Sequence, residues 1–314
     1  MRTAVIGVGY LGRFHAQKYA ALERSQLAAV VDISAENREH LAAELGVRAV
    51  ADYRDLLGRV DAVSIATPTP QHFEIASAFL ESGAHVLVEK PITTTVEDAR
   101  RLIEIAARAR RVLQVGHLER FNAGILALDG VLTVPRFIES HRLAPFKQRG
   151  TDVNVVLDLM IHDIDIIQDI VHAPIVSLDA VGASVFSGEL DIANARIRFA
   201  NGCVANTTAS RVSLKTERKL RIFQDDAYMS VDLQQKIVTI VRKTGGEMKP
   251  DALPVQIEER SFEQGDALKA EIESFLDCIT TGKPPIVSGE DGLRALETAI
   301  RITEQVTGQP HQPA

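Results

Sequence analysis

The chain has 314 residues, enough for two domains of ordinary size with a sizeable hydrophobic core. Hydrophobic residues make up 46% of it and charged residues 25%, which excludes a disordered chain, and no apolar run approaches the ~20 residues of a membrane span. A net charge of -7 argues against nucleic acid as a partner, and two cysteines are too few for a disulfide framework or a zinc site, so we expect a reducing, cytoplasmic location.

The first third of the chain alternates short Val/Ile/Ala-rich runs with segments of helical periodicity. It enters a strand pattern at once, so the pattern predicts no export signal. Strands are predicted at residues 4–8, 27–32, 61–66, 85–89 and 112–116. Helices are predicted between them at residues 11–23, 34–45 with Ser34 as N-cap, 70–82 and 96–109. Continuously apolar strands separated by helices predict a doubly wound parallel sheet, an α/β Rossmann domain over residues 1–118.

The pattern changes after residue 118. A helix ending at 128, a strand at 136–143 and a strongly apolar helix at 155–171 are followed by strands at 194–200, 203–210, 220–224, 228–233 and 237–242. Helical periodicity returns at 266–281 and 289–307. The dipeptide Asn201-Gly202 predicts a two-residue type I′ hairpin turn. Residues 119–314 are therefore predicted to form an α+β domain built on an antiparallel sheet.

A glycine motif lies between the first predicted strand and the first helix. Gly7, Gly9 and Gly12 fit G-x-G-x-x-G, in which the glycines permit a tight turn, close approach of a pyrophosphate, and close packing of helix on strand. Asp32 ends the second strand about 20 residues later, where a carboxylate accepts a hydrogen bond from a ribose hydroxyl. Glycines that only turn a loop would explain neither the spacing nor Asp32. The expected dinucleotide-binding residues here are Gly7, Gly9, Tyr10, Leu11, Gly12 and Asp32.

The carboxylate of Asp32 also bears on the choice of cofactor. It would repel the 2′-phosphate of NADP, so NAD is expected, although nearby Arg38 is a residue that could accommodate that phosphate.

A second group of residues follows two later strands, at the edge of the sheet where ligands of doubly wound folds bind. Thr67-Pro68, with His72 a turn later, follows the strand at 61–66, and Glu89-Lys90-Pro91 follows the strand at 85–89. Lys90 is expected to face the cofactor, because Pro91 fixes the backbone beside it. The alternative is an ordinary solvated surface lysine.

The apolar helix predicted at 155–171 carries one polar stripe. Asp158, His162, Asp165 and Asp169 have the spacing i, i+4, i+7, i+11, and a buried helix with one such stripe lines a polar cavity. Asp158 lies one turn from His162 and can orient the imidazole for general acid/base work. Two alternatives are a capping acid with a buried structural histidine, and a metal site, which hydride transfer does not require.

Two arginines lie near the predicted crevice. Arg120 follows the last strand of the first domain, and Arg142 lies in a strand of the second. Each either binds an anionic group of the substrate or is structural. A free sugar would leave such charges unpaired, so the pair favours a substrate that carries phosphate.

Taken in order, residues 7–12, Thr67-Pro68 with His72, Glu89-Lys90-Pro91 and the Asp158…His162 pair resemble the Gfo/Idh/MocA family of NAD(P)-dependent oxidoreductases. The resemblance covers about residues 1–308. The Glu-Lys-Pro tripeptide and the later Asp-x-x-x-His are together more specific than the glycine motif. The resemblance implies a Rossmann domain followed by an open-faced antiparallel sheet, which would join the chains of a homodimer or homotetramer.

The resemblance also implies roles for individual residues. Lys90, Asp158 and His162 would form the catalytic group, without a metal. The residues around the nicotinamide would be Thr67, Pro68, His72, Glu89 and Lys90. Many members carry glycines just before the catalytic helix, where this chain has Asn154. The expected substrate-binding residues are Lys90, Arg120, Arg142, Asn154, Asp158 and His162.

Within the family, residues 116–122 and 156–165 are most similar to bacterial nucleotide-sugar 3-dehydrogenases. This similarity implies NAD-dependent oxidation of a secondary alcohol of a sugar, at C3 of a UDP-linked N-acetylhexosamine. The alternatives are a dehydrogenase of a free sugar or cyclitol and a non-catalytic nucleotide-sensing module. Intact Lys90, Asp158 and His162 argue against the sensing module.

Overall fold

The computed structural model describes residues 1–147, 153–246, 254–262 and 265–310. Two compact units can be distinguished. Among the described residues, the first contains Met1–Leu118 and Asp266–Leu296, and the second contains Glu119–Gly265 and residues 297–310. Among the described residues, no helix is both long enough and apolar enough to cross a bilayer.

The first unit is built on a six-stranded parallel sheet with strand order β3-β2-β1-β4-β5-β6. Its strands are β1 (Arg2–Ile6), β2 (Gln26–Val31), β3 (Arg48–Val50), β4 (Ala62–Ile65), β5 (His85–Glu89) and β6 (Leu113–Gly116). The connecting helices are α1 (Gly12–Ala21), α2 (Ala35–Leu45), α3 (His72–Glu81) and α4 (Val96–Ala109). The strand order reverses next to β1, which is where ligands of doubly wound sheets bind. The predicted α/β Rossmann fold is confirmed, and β3 is an additional short strand.

Side-chain caps explain where two of these helices begin. The Ser34 hydroxyl accepts a hydrogen bond from the Asn37 N–H, as predicted for the start of α2. At α4, the Thr95 hydroxyl accepts from the Asp98 N–H and donates to the Asp98 carboxylate. The bonds from the Asn37 and Asp98 N–H groups each satisfy a backbone donor that the first turn of a helix leaves without an internal partner.

The helix α7 (Ala267–Thr281) packs in the first unit, which corrects the assignment of all of residues 119–314 to the second domain. The reason is its apolar face. Leu268, Ile272, Phe275 and Leu276 belong to the same hydrophobic core as Tyr19 of α1. Burying these four side chains on the Rossmann sheet is favoured by about 1.5–3 kcal/mol each, so hydrophobic contact, not chain order, decides where α7 packs. The last helix is α8 (Gly289–Thr307).

The second unit is built on an eight-stranded sheet with strand order β14-β13-β12-β11-β7-β10-β9-β8. Its strands are β7 (Phe137–Leu143), β8 (Ile175–Ala183), β9 (Ile192–Phe199), β10 (Val204–Ser210), β11 (Glu217–Phe223), β12 (Ala227–Asp232), β13 (Ile237–Lys243) and β14 (Val255–Ser261). The helices α5 (Ala123–Leu126) and α6 (Ile161–Val171) belong to it, together with the part of α8 that begins at Glu297. The predicted antiparallel sheet is confirmed except that β7 and β10 run parallel.

The turn between β9 and β10 differs from the predicted type I′ turn. The Phe199 N–H donates to the Cys203 carbonyl at 2.9 Å, so residues 200–202 form a three-residue loop. Gly202 has a φ of +87°, whereas Asn201 is not among the described residues with positive φ, and a type I′ turn requires positive φ at both central positions. The Asn201 side chain instead accepts a hydrogen bond from the Cys203 N–H. A turn followed by a glycine bulge therefore replaces the predicted turn.

Candidate active site

The glycine motif forms a tight loop between β1 and α1. Gly7 has a φ of +81°, and a Cβ added to it would lie 2.8 Å from the backbone of Thr67. A Cβ on Gly12 would lie 1.8 Å from the Gly7 carbonyl oxygen, so a side chain is excluded at both positions. At Gly9, by contrast, no described atom lies within 4 Å of an added Cβ. The loop is thus packed behind Gly7 and Gly12 and open at Gly9, which fits the approach of a dinucleotide pyrophosphate.

Asp32 follows β2 directly and its carboxylate is held by the backbone. Oδ2 accepts from the Val8 N–H and Oδ1 from the Ser34 N–H, both at 2.8 Å. This places a fixed negative charge beside the glycine loop. The Arg38 guanidinium donates to the carbonyl oxygens of Asp32 and Ile33. Arg38 therefore supports the backbone at the end of β2.

Tyr10 and Leu11 lie at the surface of the glycine loop, with exposed fractions of 59% and 37%. The guanidinium of Arg13 lies 5.4 Å from the centre of the Tyr10 ring and 4.6 Å from that of Phe14. Exposed apolar side chains next to an open backbone position can contact a bound cofactor, and their aromatic neighbours fix the loop that carries them.

His72 joins the two loops that follow β4 and β5. Its Nε2 lies 2.9 Å from the Thr67 carbonyl oxygen and its Nδ1 lies 2.9 Å from the Pro91 carbonyl oxygen. Burial lowers the pKa of His72 against the opposing effect of these two carbonyl groups. His72 therefore links the backbones of the two loops. The buried Thr67 hydroxyl oxygen has no hydrogen-bond partner among the described residues, which leaves it available to a cofactor at the edge that also contains Pro68.

Glu89 is the last residue of β5 and Lys90 follows it, and both are half-buried. The Glu89 Oε1 lies 2.9 Å from Nε2 of His15, and Oε2 accepts from the Lys90 N–H at 3.4 Å. A Cβ added to Gly116 would lie 3.0 Å from the Glu89 carboxylate, so that glycine makes the space the carboxylate occupies. His15, Glu89 and Glu271 have ligand-type atoms within 4.8 Å of one another. We assign no metal ligand among them, because His15 and Glu89 already form a hydrogen bond.

In the second unit, the predicted helix at 155–171 begins with a π-helical turn, Val156–Met160, before α6. The Asn154 side chain caps it, since Oδ1 accepts from the Val156 N–H at 3.0 Å and the Leu157 N–H at 3.1 Å. A π turn inside a helix is often found at functional sites. Asp158 lies in this turn and His162 follows in α6, both half-buried.

The polar stripe predicted on this helix is divided between two environments. Asp165 and Asp169 form ion pairs with Arg120, at 3.4 and 2.5 Å respectively. The expectation that all four polar side chains of the stripe line one cavity is therefore wrong for Asp165, whose side chain is only 2% exposed and faces Arg120. Asp158 and His162 are the remaining members of the stripe.

Arg142 also has internal partners. Its guanidinium donates to Asp163 at 2.8 Å and to Glu119 at 3.0 Å, and the Arg142 and Asp163 side chains are each 4% exposed. Burial lowers the pKa of Arg142, but the two carboxylates outweigh it and raise that pKa overall. Removing one member of such a pair leaves an uncompensated buried charge, which costs about 3–5 kcal/mol. The expectation that a free sugar would leave Arg120 and Arg142 unpaired is therefore wrong.

Two family models match the chain. Residues 1–117 match an oxidoreductase family described by its NAD-binding Rossmann fold, and residues 139–311 match its C-terminal alpha/beta domain. The chain belongs to the Gfo/Idh/MocA family of oxidoreductases. The resemblance inferred from the motifs is confirmed, and the protein is an oxidoreductase with an NAD-binding domain.

The chain is similar to two types of dehydrogenase. It is 44% identical over 303 residues to UDP-N-acetylglucosamine 3-dehydrogenase of Acidithiobacillus ferrooxidans, covering 96% of each chain. A structure of that protein matches with a TM-score of 0.93 at 43% identity, covering 98% of each chain. Myo-inositol 2-dehydrogenase of Thermotoga maritima is 27% identical over 315 residues, 94% of this chain and 93% of that protein. A scyllo-inositol dehydrogenase from Lactobacillus casei, solved with NAD(H) and scyllo-inositol, shares the fold at 22% identity, with a TM-score of 0.81 over 99% and 98% of the chains.

Several residues of functional interest were not expected from the sequence. His15 and Glu271 contact the Glu89 region, and Glu119 and Asp163 neutralise Arg142. For Glu271 a signal exists, because it lies one turn from Leu268 and Phe275 on the apolar face of α7. A charged residue at a core position of an amphipathic helix indicates a specific partner.

Proposed function

We propose that the protein oxidises C3 of a UDP-linked N-acetylhexosamine with NAD⁺, giving a 3-keto sugar nucleotide. The observation that carries this proposal is the 44% identity, over 96% of both chains, to UDP-N-acetylglucosamine 3-dehydrogenase. The inositol dehydrogenase from Thermotoga maritima is 27% identical. Both domains take part in the match, so the similarity is not confined to the shared cofactor fold.

Oxidation of a secondary alcohol removes a hydride from carbon and a proton from oxygen. Bound NAD supplies the hydride acceptor. Of Lys90 and His162, we propose that one takes the proton of the hydroxyl while the other holds its oxygen. Asp158, four residues before His162, orients the imidazole and stabilises its charged form. Asn154 holds the start of this helix through its cap.

We propose NAD rather than NADP as the cofactor. The Asp32 carboxylate is fixed by two backbone N–H groups beside the glycine loop, so it can accept from a ribose hydroxyl without rearrangement and repels a 2′-phosphate. Arg38, the residue expected to favour NADP, uses its guanidinium on two backbone carbonyl groups.

We also propose that the protein is a homodimer or homotetramer joined through the eight-stranded sheet. Along β9, Ala193, Ala195 and Ile197 are buried while Asn194, Arg196 and Arg198 are exposed, so the sheet has one covered face and one outer face. An outer face that is not part of the unit's own core is suited to pairing with a second copy.

A dehydrogenase of a cyclitol or free sugar is the second candidate function. One observation favours it, namely that Arg120 and Arg142 are each paired with two carboxylates, so neither offers an unpaired charge to a diphosphate. The nucleotide-sugar proposal consequently rests on similarity to the relative and not on these arginines.

The experiment that separates the candidates is a comparison of UDP-N-acetylglucosamine with myo-inositol and glucose. We expect NADH formation with the UDP-sugar, at low yield unless an amine-transferring enzyme or another acceptor removes the keto product, because oxidation of an unactivated alcohol by NAD⁺ is unfavourable. UDP-N-acetylglucosamine should also raise the thermal midpoint in the presence of NADH, since ligand at 100 times its Kd adds about 2.7 kcal/mol to the unfolding free energy.

UMP and UDP serve as controls for binding of the nucleotide alone. If inositol or glucose is turned over readily and calorimetry detects no binding of any UDP-sugar, the protein is a dehydrogenase of a cyclitol or free sugar. Binding of a UDP-sugar with no hydride transfer under any condition would instead establish a sensing role.

A further inference from the structure

Glu271 is a carboxyl group in a place where an ionised carboxylate is strongly disfavoured. It lies on α7 among core side chains, its exposed fraction is 0%, and no group among the described residues donates a hydrogen bond to either carboxyl oxygen. A charge buried without a partner is neutralised, either by a bound cation or by a proton. The structure thus requires an explanation for this side chain that packing alone does not provide.

The groups facing Glu271 come from α1, β5 and β6. Its carboxyl lies within 4.8 Å of ligand-type atoms of both His15 and Glu89. Tyr19 of α1 also faces it, with its hydroxyl hydrogen-bonded to Ser64 at 2.9 Å, and the Gln114 amide donates to the Glu271 backbone carbonyl. These are an imidazole, a phenol, an amide and one further carboxyl group, so none of the named neighbours brings a permanent positive charge.

The two carboxyl groups are not equivalent. Glu89 has the His15 ring nitrogen at 2.9 Å and the Lys90 N–H at 3.4 Å, and its side chain is 12% exposed. Glu271 is fully buried, and burial together with the nearby Glu89 raises the pKa of Glu271 well above its ordinary value. Two close carboxyl groups in a buried site cannot both ionise, and the one without donors retains the proton.

We propose that Glu271 is a positioning residue whose protonated carboxyl donates its O–H to the Glu89 carboxylate. Glu89 is then held on one side by Glu271 and on the other by the N–H of His15, with Lys90 next to it in the chain. The proposal rests on the proposed function in one respect, the assignment of Lys90 to proton transfer. If Glu271 donates to Glu89, α7 has a role in the cofactor-binding unit, because α7 carries this donor to the end of β5.

Matched variants separate a proton donor from a space-filling side chain. In Glu271→Gln the neutral amide has the same shape and still donates an N–H, so kcat should stay within about threefold of the unmodified protein. In Glu271→Leu the donor is lost, Glu89 is held by His15 and the Lys90 N–H alone, and kcat should fall by about 10–10²-fold, with the KM for NAD⁺ nearly unchanged. Glu273→Gln, the same substitution on a 40% exposed side chain of α7, serves as the control.

Two measurements on the folded protein need no substrate. The infrared difference spectrum between the unmodified protein and Glu271→Gln at neutral pH should contain the C=O band of a protonated carboxyl that shifts in D₂O, and the Glu273→Gln difference should not. The second measurement is the thermal midpoint against pH. Because the pKa of Glu271 is raised on folding, the unfolded chain releases its proton first as the pH rises, and this contribution to stability declines. Glu271→Gln should therefore gain stability relative to the unmodified protein as the pH rises above about 4.3, the ordinary pKa of a glutamic acid side chain.

Three results would overturn the proposal: absence of the protonated-carboxyl band, equal loss of kcat in Glu271→Gln and Glu271→Leu, or one equivalent of a divalent metal that is lost in Glu271→Gln. If Glu271→Leu does not fold, the Gln variant and the spectrum still decide the matter. Failure of UDP-sugar turnover would contradict the proposed function but leave the infrared and stability results standing, so the two failures are distinguishable.

Discussion

Lys90 and His162, the two half-buried residues to which we assign proton transfer, are tested by substitution. Removing a positioned acid or base costs about 10²–10⁴-fold in turnover. We therefore predict a fall of that size in kcat for Lys90→Met and for His162→Ala, while NADH titration shows cofactor binding preserved. Neither substitution alters the glycine loop or Asp32, so the two readouts separate chemistry from binding.

Asp158→Asn supplies the internal control for this prediction. If Asp158 acts through His162, the double variant Asp158→Asn/His162→Ala should be hardly slower than His162→Ala alone, because residues that act as a unit are not additive. Near-normal kcat in Lys90→Met or in His162→Ala would remove that residue from the catalytic group.

Asp32 sets the expected preference between the two dinucleotides. With both oxygens held at 2.8 Å by backbone N–H groups, its charge cannot turn away from an incoming 2′-phosphate. We predict that NADH binds at least about 10-fold more tightly than NADPH, equivalent to about 1.4 kcal/mol, and that Asp32→Ala removes most of this difference. Arg38→Ala is the matched control. Equal Kd values for NADH and NADPH in the unmodified protein would refute the assignment.

Some site residues could be predicted from the sequence because their spacing is local. The glycine loop and Asp32 belong to one strand–helix–strand unit, and within such a unit the geometry follows from the order of the chain. His15 and Glu271 could not be predicted in this way, because they are 256 positions apart and meet only when α7 packs on α1. Arg142 and Asp163 illustrate the same limit, since a strand and a helix must pack before their ion pair exists.

At the level of elements, long and strongly periodic segments could be predicted best. The strand at residues 85–89 and the helices at 96–109 and 289–307 have the predicted bounds. The edge strands β8 and β14 could not be recognised, because edge strands are less buried: β8 has one buried residue and β14 has none. The very short β3 was missed for a related reason, since two of its three residues are exposed.

The helix predicted at 155–171 contains a backbone irregularity that hydrophobic periodicity cannot predict. An ideal helix puts Asp158 and His162 one turn apart on a single stripe, but the π turn at Val156–Met160 adds backbone length within that turn. Asn154 makes this start possible, since its side chain satisfies two N–H groups that the first turn leaves without internal partners. Asn154 thus has a definite structural role at the start of this helix.

At the scale of the whole molecule, the distribution of charge follows from burial. Arg120, Arg142 and Asp163 all lie inside the second unit, and each has at least one group of opposite charge at contact distance. Such internal pairs add little net stability but fix the relative positions of the elements that carry them. In this unit they hold α6, which bears His162, against β7.

The outer face of the eight-stranded sheet leads to the last prediction. Phe137, Phe223 and Tyr228 lie side by side on β7, β11 and β12, with ring centres 5.7 and 4.8 Å apart, on the face opposite the buried Ile138 and Ile222. Adjacent aromatic rings on an outer sheet face are typical of a contact between chains. A stable interface between two copies buries about 1,600 Å² in total, a size that a face of eight strands can provide.

We therefore predict that light scattering after gel filtration gives two or four times the chain mass of 34.3 kDa. Phe223→Asp places a desolvated charge within the ring cluster and should shift the mass toward one chain. Leu214→Asp, at a fully exposed position outside the strands, should leave the mass unchanged. A mass of one chain for the unmodified protein at micromolar concentration would rule out the assembly. Retention of the full mass in a folded Phe223→Asp variant would instead place the contact on a different surface, because an unpaired charge in the centre of an interface is not tolerated without loss of affinity.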